Sequence, residues 1–235
     1  MTKKRNVYTI GGSRVRGVSS IKGVLDKPFL LPWAAKKATE YVAERWKPET
    51  PYPQEVIDAV LAEARTAHIR YRDAAGDFGT NMHDIAASYI GGQLLPQDIK
   101  DKDERRALEN FIKLTQGWTW LGSEIVLINT ELGYGGTADG LARMPSGLLV
   151  LPDIKTSNTV GADVNIQLAL YGLSLPADQE LHELWEEMRE IGEGRVLHLN
   201  KQRQTWELLE YDLKIHYSYM PHFCAVHEWT QRFSQ

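Results

Sequence analysis

The architecture of this chain follows from two neighbouring segments, Gly135-Gly136-Thr137-Ala138-Asp139 and Leu149-Val150-Leu151-Pro152-Asp153-Ile154-Lys155. Both segments have the composition of short strands, and Pro145-Ser146-Gly147 between them suits a three-residue hairpin loop with glycine in its left-handed position. The second segment is mostly aliphatic, yet it ends in charged residues. Because side chains alternate along a strand, Asp153 and Lys155 share one face. Two charges at the end of a core strand are costly unless another group compensates them.

The loop length predicts the register of this hairpin. With Pro145-Ser146-Gly147 as the loop, Met144 faces Leu148, and counting outward places Asp139 opposite Asp153. Facing side chains on one side of a sheet have Cβ atoms about 5 Å apart. Two carboxylates at that separation repel unless a proton or a cation lies between them, and a hard divalent cation suits carboxylate oxygens. A four-residue loop would give Asp139 a different partner.

Composition restricts the class of protein. The chain has 235 residues, 43% of them hydrophobic, which is enough for one large domain or two small ones. It contains no apolar run long enough to span a bilayer, and no apolar stretch follows the basic residues 3–5, so we expect neither a membrane segment nor a signal peptide. The single cysteine, Cys224, excludes an internal disulfide and a four-cysteine zinc or iron–sulfur site. We therefore expect a cytoplasmic protein.

Charge is distributed unevenly along the chain. The net charge of −4 does not by itself indicate a nucleic-acid partner, but residues 1–37 carry nine Lys and Arg residues against the single acid Asp26. Such a basic segment can follow a phosphate backbone. Residues 178–193 instead carry seven carboxylates against Arg189, and we interpret this acidic helix as a solvated surface.

Periodicity and turn residues predict the remaining elements. A small hairpin should span residues 7–18 with its turn at Gly11-Gly12-Ser13, and Ser19 or Ser20 should cap the short helix that follows. The predicted helices are residues 21–25, 32–46, 54–73, 81–90, 101–116, 162–172, 178–191 and 212–233. The further predicted strands are residues 124–130, 195–199 and 205–211.

These elements predict a mixed α/β fold, with a small central mixed sheet flanked by helices. The strand 124–130 and the hairpin should form an antiparallel meander in which residues 148–155 are central. Residues 1–120 are expected to be mainly helical, and we expect one domain over residues 1–235.

His83 is the first residue with a distinctive chemical role. Gly76-Asp77-Phe78-Gly79 is interpreted as a turn, and Thr80 as the cap of the next helix, which places His83 in the first helical turn. The positive end of the helix dipole disfavours a protonated imidazole, and a neutral imidazole suits metal ligation. The ordinary alternative for a lone histidine is a surface or core position.

Gln167 and Tyr171 are the second distinctive pair. They are four residues apart in a predicted helix and therefore share one face. The ordinary alternative is core packing, because Tyr171 lies at the edge of an apolar stripe.

Five short motifs, taken in order, resemble the RecB-type branch of the PD-(D/E)XK nuclease superfamily. They are Gly79-x-x-x-His83, Glu124 before the sheet, Gly136-Thr137-x-Asp139, Pro152-Asp153-Ile154-Lys155-Thr156, and Gln167-x-x-x-Tyr171. Residues 18–33 also look like the opening of phage-encoded RecB-like exonucleases. The resemblance covers about residues 15–175, and the order of the motifs makes it more specific than any one of them.

The resemblance implies a restriction-endonuclease-like fold. Residues 121–235 would form the catalytic core with a C-terminal helix, and residues 1–120 a helical part that carries the basic segment. Some relatives bind an iron–sulfur cluster through four cysteines, which this chain cannot do with Cys224 alone. Helicase motifs are absent from this sequence, so we expect a free-standing nuclease domain.

The resemblance also implies a metal site with one or two Mg²⁺ or Mn²⁺ ions. Asp139 and Asp153 would be the principal ligands, with His83 and the backbone carbonyl of Ile154 as further ligands and Glu124 near a second metal position. Such ions lower the pKa of a bound water and neutralise phosphate oxygens. A histidine beside two aspartates favours Mn²⁺ more than an all-oxygen site does.

The remaining site residues are implied in supporting roles. Lys155 would orient the attacking water and stabilise negative charge, and Gln167 and Tyr171 would contact the scissile phosphate or orient Lys155. The residues expected to bind DNA are Arg14, Arg16, Ser19, Ser20, Lys22, Trp33, Lys36, Thr156 and Ser157.

The implied activity is a metal-dependent DNA exonuclease of phage or bacterial recombination, repair or replication, located in the cytoplasm of the bacterial host if phage-encoded. Its expected partners are single-stranded DNA or the ends and flaps of duplex DNA, with a recombinase or single-strand-binding protein as a further partner, and no membrane.

Three alternatives stay open. They are a catalytically inactive nucleic-acid-binding member of the fold, a structure-specific or sequence-specific endonuclease, and a metalloprotein that is not a nuclease. Unused buried charge is costly, which argues against the first. The Gln167-x-x-x-Tyr171 motif and the N-terminal resemblance favour activity on free ends over the second.

Overall fold

The computed structural model of the chain describes residues 7–25, 27–200 and 205–233. These residues have the predicted mixed α/β fold, with helices around one mixed sheet of eight strands. The chain divides into two compact units. One comprises residues 1–25 and 81–235 and contains the sheet, and the other comprises residues 26–80.

Eight strands form the sheet in the described part of the chain. They are β1 (Tyr8–Ile10), β2 (Ser13–Gly17), β3 (Thr119–Asn129), β4 (Tyr134–Arg143), β5 (Leu149–Lys155), β6 (Leu175–Pro176), β7 (Glu193–Asn200) and β8 (Thr205–Asp212). Their order is β1-β2-β4-β5-β7-β8, with β3 paired to both β4 and β6. The pairs β2–β4 and β5–β7 are parallel and the other pairs are antiparallel. The predicted meander of β3, β4 and β5 is therefore confirmed.

The helices surround this sheet or form the second unit. They are α1 (Val18–Lys22), α2 (Leu30–Arg45), α3 (Gln54–Ile90), α4 (Lys102–Leu114), α5 (Asp163–Gly172), α6 (His182–Ile191), α7 (Lys214–Tyr217) and α8 (Met220–Phe233). Short 3₁₀ turns occur at Pro96–Asp98 and Gln179–Leu181. Within the described ranges, no helix combines the length and the apolarity needed to cross a membrane.

The core of the first unit lies between the sheet and the helices α5, α6 and α8. Its fully buried members include Tyr134, Leu141, Leu149, Leu151, Leu168, Trp185 and Met188. Each such side chain contributes about 1.5–3 kcal/mol through removal from water. In the second unit, α2 and α3 pack through Tyr41, Ala64 and Ala67.

The predicted β4–β5 loop is confirmed, whereas the turn of the first hairpin is one residue shorter than predicted, because Ser13 belongs to β2 and pairs with Ile10. β1 and β2 are joined by Gly11 and Gly12, both with positive φ, as a two-residue hairpin turn requires. In the β4–β5 hairpin, Ala142 pairs with Val150, which is the register that the loop length predicts. Gly147 occupies the left-handed position with φ of 88°.

The β4–β5 pairing is shorter than predicted. It ends after the two residue pairs Ala142–Val150 and Arg143–Leu149, and the start of β4 pairs instead with β2, at Tyr134 and Gly135. The prediction that Asp139 faces Asp153 in the ladder is therefore wrong. The register of the β3–β4 ladder instead places Asp139 opposite Glu124, between the pairs Ser123–Gly140 and Ile125–Ala138.

The predicted turn at residues 76–79 is wrong, because α3 is continuous across it. A glycine inside a helix costs only about 1 kcal/mol relative to alanine, which the surrounding helix can absorb. Phe78, Met82 and Ala86 are all buried at four-residue spacing, so one helical face continues past the two glycines. His83 therefore lies inside a long helix, and the helix-dipole argument does not apply to it.

Other helix boundaries also differ from the prediction, and α6 begins at His182 rather than at residue 178. α1 begins at Val18 directly after β2, so Ser19 and Ser20 lie inside it and neither caps it. The predicted helix 212–233 is divided into α7 and α8, and Pro221 occupies the first turn of α8, where its missing N–H is tolerated.

Candidate functional site

The candidate site lies where β4 and β5 separate. β4 carries Asp139, and the end of β5 carries Asp153 and Lys155, while α3 contributes His83 to the same place. Where two strands separate in this way, the backbone groups that a continuous ladder would have paired need other partners, such as polar side chains. The topology therefore creates the space in which the charged residues meet.

Asp139 connects both sides of this gap. Its Oδ1 lies 3.0 Å from Nδ1 of His83, and its Oδ2 accepts a hydrogen bond of 2.6 Å from the backbone N–H of Ile154. Burial opposes the ionised carboxyl, but the nearby charges of His83 and Lys155 and the Ile154 N–H outweigh it and hold the pKa of Asp139 below its ordinary value. Asp139 is therefore a carboxylate.

His83 is held as a partner of that carboxylate. Burial disfavours the imidazolium, but the charge of Asp139 and the hydrogen bond to it outweigh burial and raise the pKa of His83. The expectation that a helix N-terminus keeps His83 neutral is therefore wrong. At a pH below this raised pKa, a metal that binds the imidazole has to displace a proton.

Glu124 joins His83 and Asp139 in a group of possible metal ligands. One ligand atom from each of the three residues lies within 4.8 Å of the others. Glu124 was predicted to open a strand, but β3 already begins at Thr119, so Glu124 lies inside it. Among the described residues it is the one non-glycine residue with positive φ, 51°. Such a backbone costs about 1–3 kcal/mol and is typical of functional sites.

This group fits a divalent cation by its donor chemistry. One imidazole nitrogen and two carboxylate oxygens suit Mn²⁺ or Mg²⁺, and the imidazole favours Mn²⁺. Ligand atoms about 2.1 Å from one ion lie no more than about 4.2 Å apart, so the group needs at most a small contraction. In the described part of the chain, this group consists of the side chains of His83, Glu124 and Asp139.

Asp153 lies outside that group and has different partners. It is fully buried, its Oδ1 accepts a hydrogen bond of 2.7 Å from Nε2 of Gln167, and its Oδ2 contacts Nζ of Lys155. Burial raises the pKa of Asp153; the charge of Lys155 counteracts this rise and the charge of Asp139 adds to it. Asp153 was predicted to be a principal metal ligand, and in the structure it is the partner of Lys155.

Lys155 keeps its charge in this setting. Burial disfavours the ammonium, but the carboxylates of Asp153 and Asp139 outweigh burial and raise the pKa of Lys155. Its contact with Asp153 confirms that the two side chains share a face of β5. A charged lysine, 17% exposed, beside the candidate cation group can stabilise negative charge on a bound anion.

The pair Gln167 and Tyr171 closes one side of the site. Both side chains are buried on α5, and Nε2 of Gln167 lies 3.3 Å from the hydroxyl of Tyr171, which confirms that they share a face. Burial raises the pKa of Tyr171 well above its ordinary value, so the hydroxyl stays neutral. The side-chain oxygen Oε1 of Gln167 accepts a hydrogen bond of 2.6 Å from Nζ of Lys22 on α1.

Four of the predicted DNA-binding residues line a cavity of about 430 Å³. They are Arg14, Arg16, Ser19 and Ser20. The cavity is also lined by Thr137 and Tyr171, so it adjoins the candidate site. Arg16 has structural partners as well, because its guanidinium donates to the carbonyl oxygens of Cys224 and Leu132.

Two other predicted DNA-binding residues belong to the second unit. Trp33 makes an edge-to-face contact with His68, with ring centroids 6.4 Å apart. Nζ of Lys36 lies 3.7 Å from Oε1 of Glu40, one helical turn along α2. Both contacts lie within the unit of residues 26–80.

Residues of β7 hold the loop that carries Thr156 and Ser157, and the sequence analysis missed them. The carbonyl oxygen of Ser157 lies 2.7 Å from Nε2 of His198, and Asn200 donates a 2.8 Å hydrogen bond to the carbonyl oxygen of Asn158. The sequence contained a signal for these residues, because polar side chains in a buried strand require hydrogen-bond partners. His198 and Asn200 thus restrain the loop that directly follows Lys155.

Comparison with known proteins leaves the family open. No family model matches the chain, and no curated protein matches it. The solved crystal structure of a protein named SSO0001 is 18% identical in sequence, covers 86% of each chain and has a TM-score of 0.34. A similarity of that size carries no argument about fold or function.

Proposed function

We propose that this chain is a metal-dependent nuclease that hydrolyses phosphodiester bonds of DNA, acting as an exonuclease. The observation that carries the proposal is the position of Asp139. One oxygen of its carboxylate contacts His83 in the candidate cation group, and the other accepts from Ile154, between the charged residues Asp153 and Lys155. A cation group and a partly exposed ammonium therefore lie side by side.

This combination suits hydrolysis of a phosphodiester. A divalent cation, when bound, would supply a more acidic water and neutralise phosphate charge. His83, Glu124 and Asp139 would hold that cation, and Glu124 reaches this group from a backbone with positive φ, 51°. The carboxylates also keep the site attractive to a cation, because Asp139 stays ionised.

Lys155 would act on the phosphate itself. Its ammonium remains charged because of Asp153 and Asp139, and it would donate hydrogen bonds to non-bridging oxygens as negative charge develops on them. Asp153 would orient this ammonium, and Gln167 would in turn orient Asp153 through its 2.7 Å hydrogen bond. Each of these residues is fixed by another one, which is what pre-organised catalysis requires.

The cavity beside the site supports the proposed class of substrate. Its lining combines the guanidinium-bearing Arg14 with the hydroxyl-bearing Ser19 and Ser20, and such groups bind phosphate oxygens without regard to sequence. Its position beside Thr137 and Tyr171 supports a path for a single strand from the cavity to Asp139. We therefore propose single-stranded DNA, or the ends and flaps of duplex DNA, as substrate.

The resemblance in sequence sets the biological context of the proposal. It points to recombination, repair or replication in a phage or bacterium, in the cytoplasm, with a recombinase or a single-strand-binding protein as partner.

Digestion of DNA tests the proposal and its rivals together. End-labelled single-stranded, double-stranded and flapped DNA and a closed circle are incubated with the protein and Mn²⁺ or Mg²⁺. Release of nucleotides from free ends supports the exonuclease. Cutting of the closed circle would identify an endonuclease instead. Binding of DNA without cutting would identify an inactive member of the fold. Metal binding without any action on DNA or RNA would identify a different metalloprotein.

A further inference from the structure

Lys22 is connected to the candidate site rather than presented only to solvent. Its Nζ donates a 2.6 Å hydrogen bond to Oε1 of Gln167 and lies 3.6 Å from Oδ2 of Asp163. Both partners belong to α5, whereas Lys22 ends α1. The side chain is 21% exposed, so it reaches inward from the surface of α1. The sequence analysis predicts instead that Lys22 binds DNA.

The contact with Lys22 determines which way the Gln167 amide points. An ammonium can only donate hydrogen bonds, so the oxygen of the amide must face Lys22. The NH₂ group then faces the opposite way, towards Oδ1 of Asp153 at 2.7 Å. The reversed amide would place two donors together at Lys22 and two acceptors together at Asp153, and both contacts would be lost.

The orientation of Gln167 matters for the charged pair beside it. With Oδ1 of Asp153 occupied by the amide NH₂, Oδ2 is the oxygen that contacts Lys155. A chain of four side chains therefore runs from Lys22 through Gln167 and Asp153 to Lys155. Hydrogen bonds to charged groups at both ends make this chain stronger than neutral hydrogen bonds would.

We propose that Lys22 is a positioning residue, which fixes the amide of Gln167 and through it the Asp153–Lys155 pair. The effect on catalysis rests on the proposed nuclease function, whereas the orientation of Gln167 does not. Residues that orient the ligands of a metal site typically cost about 10- to 100-fold in activity when they are replaced, and we expect a loss of similar size here.

Kinetics of the full-length chain with Mn²⁺ and single-stranded DNA separate positioning from DNA contact. Lys22→Met is expected to lower kcat about 10- to 100-fold with little change in KM or in the salt dependence of DNA binding. Lys22→Arg, which can still donate to Gln167, should restore most of kcat. Lys113→Met, which removes an exposed lysine from α4, is the matched control and should leave kcat unchanged.

Two kinetic results would overturn the proposal. If Lys22→Met leaves kcat unchanged and lowers the slope of log affinity against log salt by about one, Lys22 contacts a phosphate instead. If Lys22→Met costs as much activity in a Gln167→Met background as in the wild-type protein, Lys22 does not act through Gln167.

The side-chain amide signal of Gln167 in a ¹⁵N-correlated NMR spectrum gives a readout that needs no nuclease activity. The signal is assigned by its loss in Gln167→Met, and it should shift in Lys22→Met and stay near its original position in Lys22→Arg. An unchanged signal in a folded Lys22→Met protein would overturn the proposal. If the signal shifts but the wild-type protein cleaves no DNA, the proposed function fails while the Lys22–Gln167 link stands.

Discussion

The backbone N–H of Ile154 donates a 2.6 Å hydrogen bond to Oδ2 of Asp139, across the point where β4 and β5 separate. A side chain here replaces the backbone acceptor that a continuing ladder would have provided. The same carboxylate faces His83 with its other oxygen. Asp139 therefore connects the two strands at the point where they separate, and it also belongs to the candidate cation group.

Asp139→Asn is expected to abolish stabilisation of the protein by Mn²⁺. The substitution keeps the shape of the side chain but removes its charge, which the cation requires. For a protein that binds the ion, Mn²⁺ at about 100 times its Kd adds about 2.7 kcal/mol to the free energy of unfolding. Thermal unfolding with and without Mn²⁺ measures this gain. Asp77→Asn, an exposed change on α3, is the control and should retain the full gain.

The affinity for Mn²⁺ should rise with pH because of His83. The pKa of His83 is raised above 6.5 in the metal-free protein, so a proton competes with the ion up to a pH above that value. Calorimetric titrations at several pH values should show this slope, and His83→Gln should bind weakly at every pH. A wild-type affinity that does not change with pH between 6 and about 8 would contradict His83 as a ligand.

Without metal, the same shift predicts the opposite trend in stability. A folded-state pKa above the unfolded value means that the contact of charged His83 with Asp139 stabilises the fold fully below about pH 6.5. That stabilisation is lost as the pH rises through the folded-state pKa. Urea unfolding in the presence of a chelator measures the trend, and His83→Gln should flatten it.

Replacing Lys155 by Met should affect stability and activity in separable ways. Removal of one partner leaves Asp153 buried beside a methionine, at an expected cost of about 3–5 kcal/mol. The double change Asp153→Asn with Lys155→Met removes both charges and should recover much of that stability. Neither protein should cleave DNA, so recovered activity in the double variant would contradict the proposed roles.

Glu124→Gly should stabilise the metal-free protein and weaken its binding of Mn²⁺. Glycine adopts positive φ without the cost of about 1–2 kcal/mol that a side chain adds there. Urea unfolding in a chelator measures the first effect, and calorimetry the second. Ser123→Gly, beside it in β3, has no positive φ to relieve and should only destabilise. A Glu124→Gly protein that binds Mn²⁺ as well as wild type would remove Glu124 from the group.

Local sequence signals predicted the parts of the fold that neighbours along the chain determine. The glycine of a three-residue loop sets the β4–β5 register at Ala142 and Val150, and that register is observed. The predicted Asp139–Asp153 pairing is not observed because the ladder ends at Ala142 and Val150, and the start of β4 pairs with β2, a strand distant in sequence that no local pattern indicates.

In the candidate site, too, local patterns predicted the contacts between residues that are close in sequence and missed those between distant ones. The shared faces of Asp153 with Lys155 and of Gln167 with Tyr171 follow from strand and helix periods. The contact of Lys22 with Gln167 joins residues 145 positions apart, so no local pattern carries it. The prediction of a turn at residues 76–79 was wrong because burial of side chains on both sides of it favours a continuous helix by more than two glycines cost.

The rate at which the wild-type protein releases nucleotides from an end-labelled single strand in Mn²⁺ tests the central proposal most directly. We expect steady release that stops on addition of a chelator and that falls by at least about 100-fold in Lys155→Met. Release that persists at the wild-type rate in Lys155→Met, or no release by a protein shown to bind Mn²⁺ and DNA, would contradict the assignment.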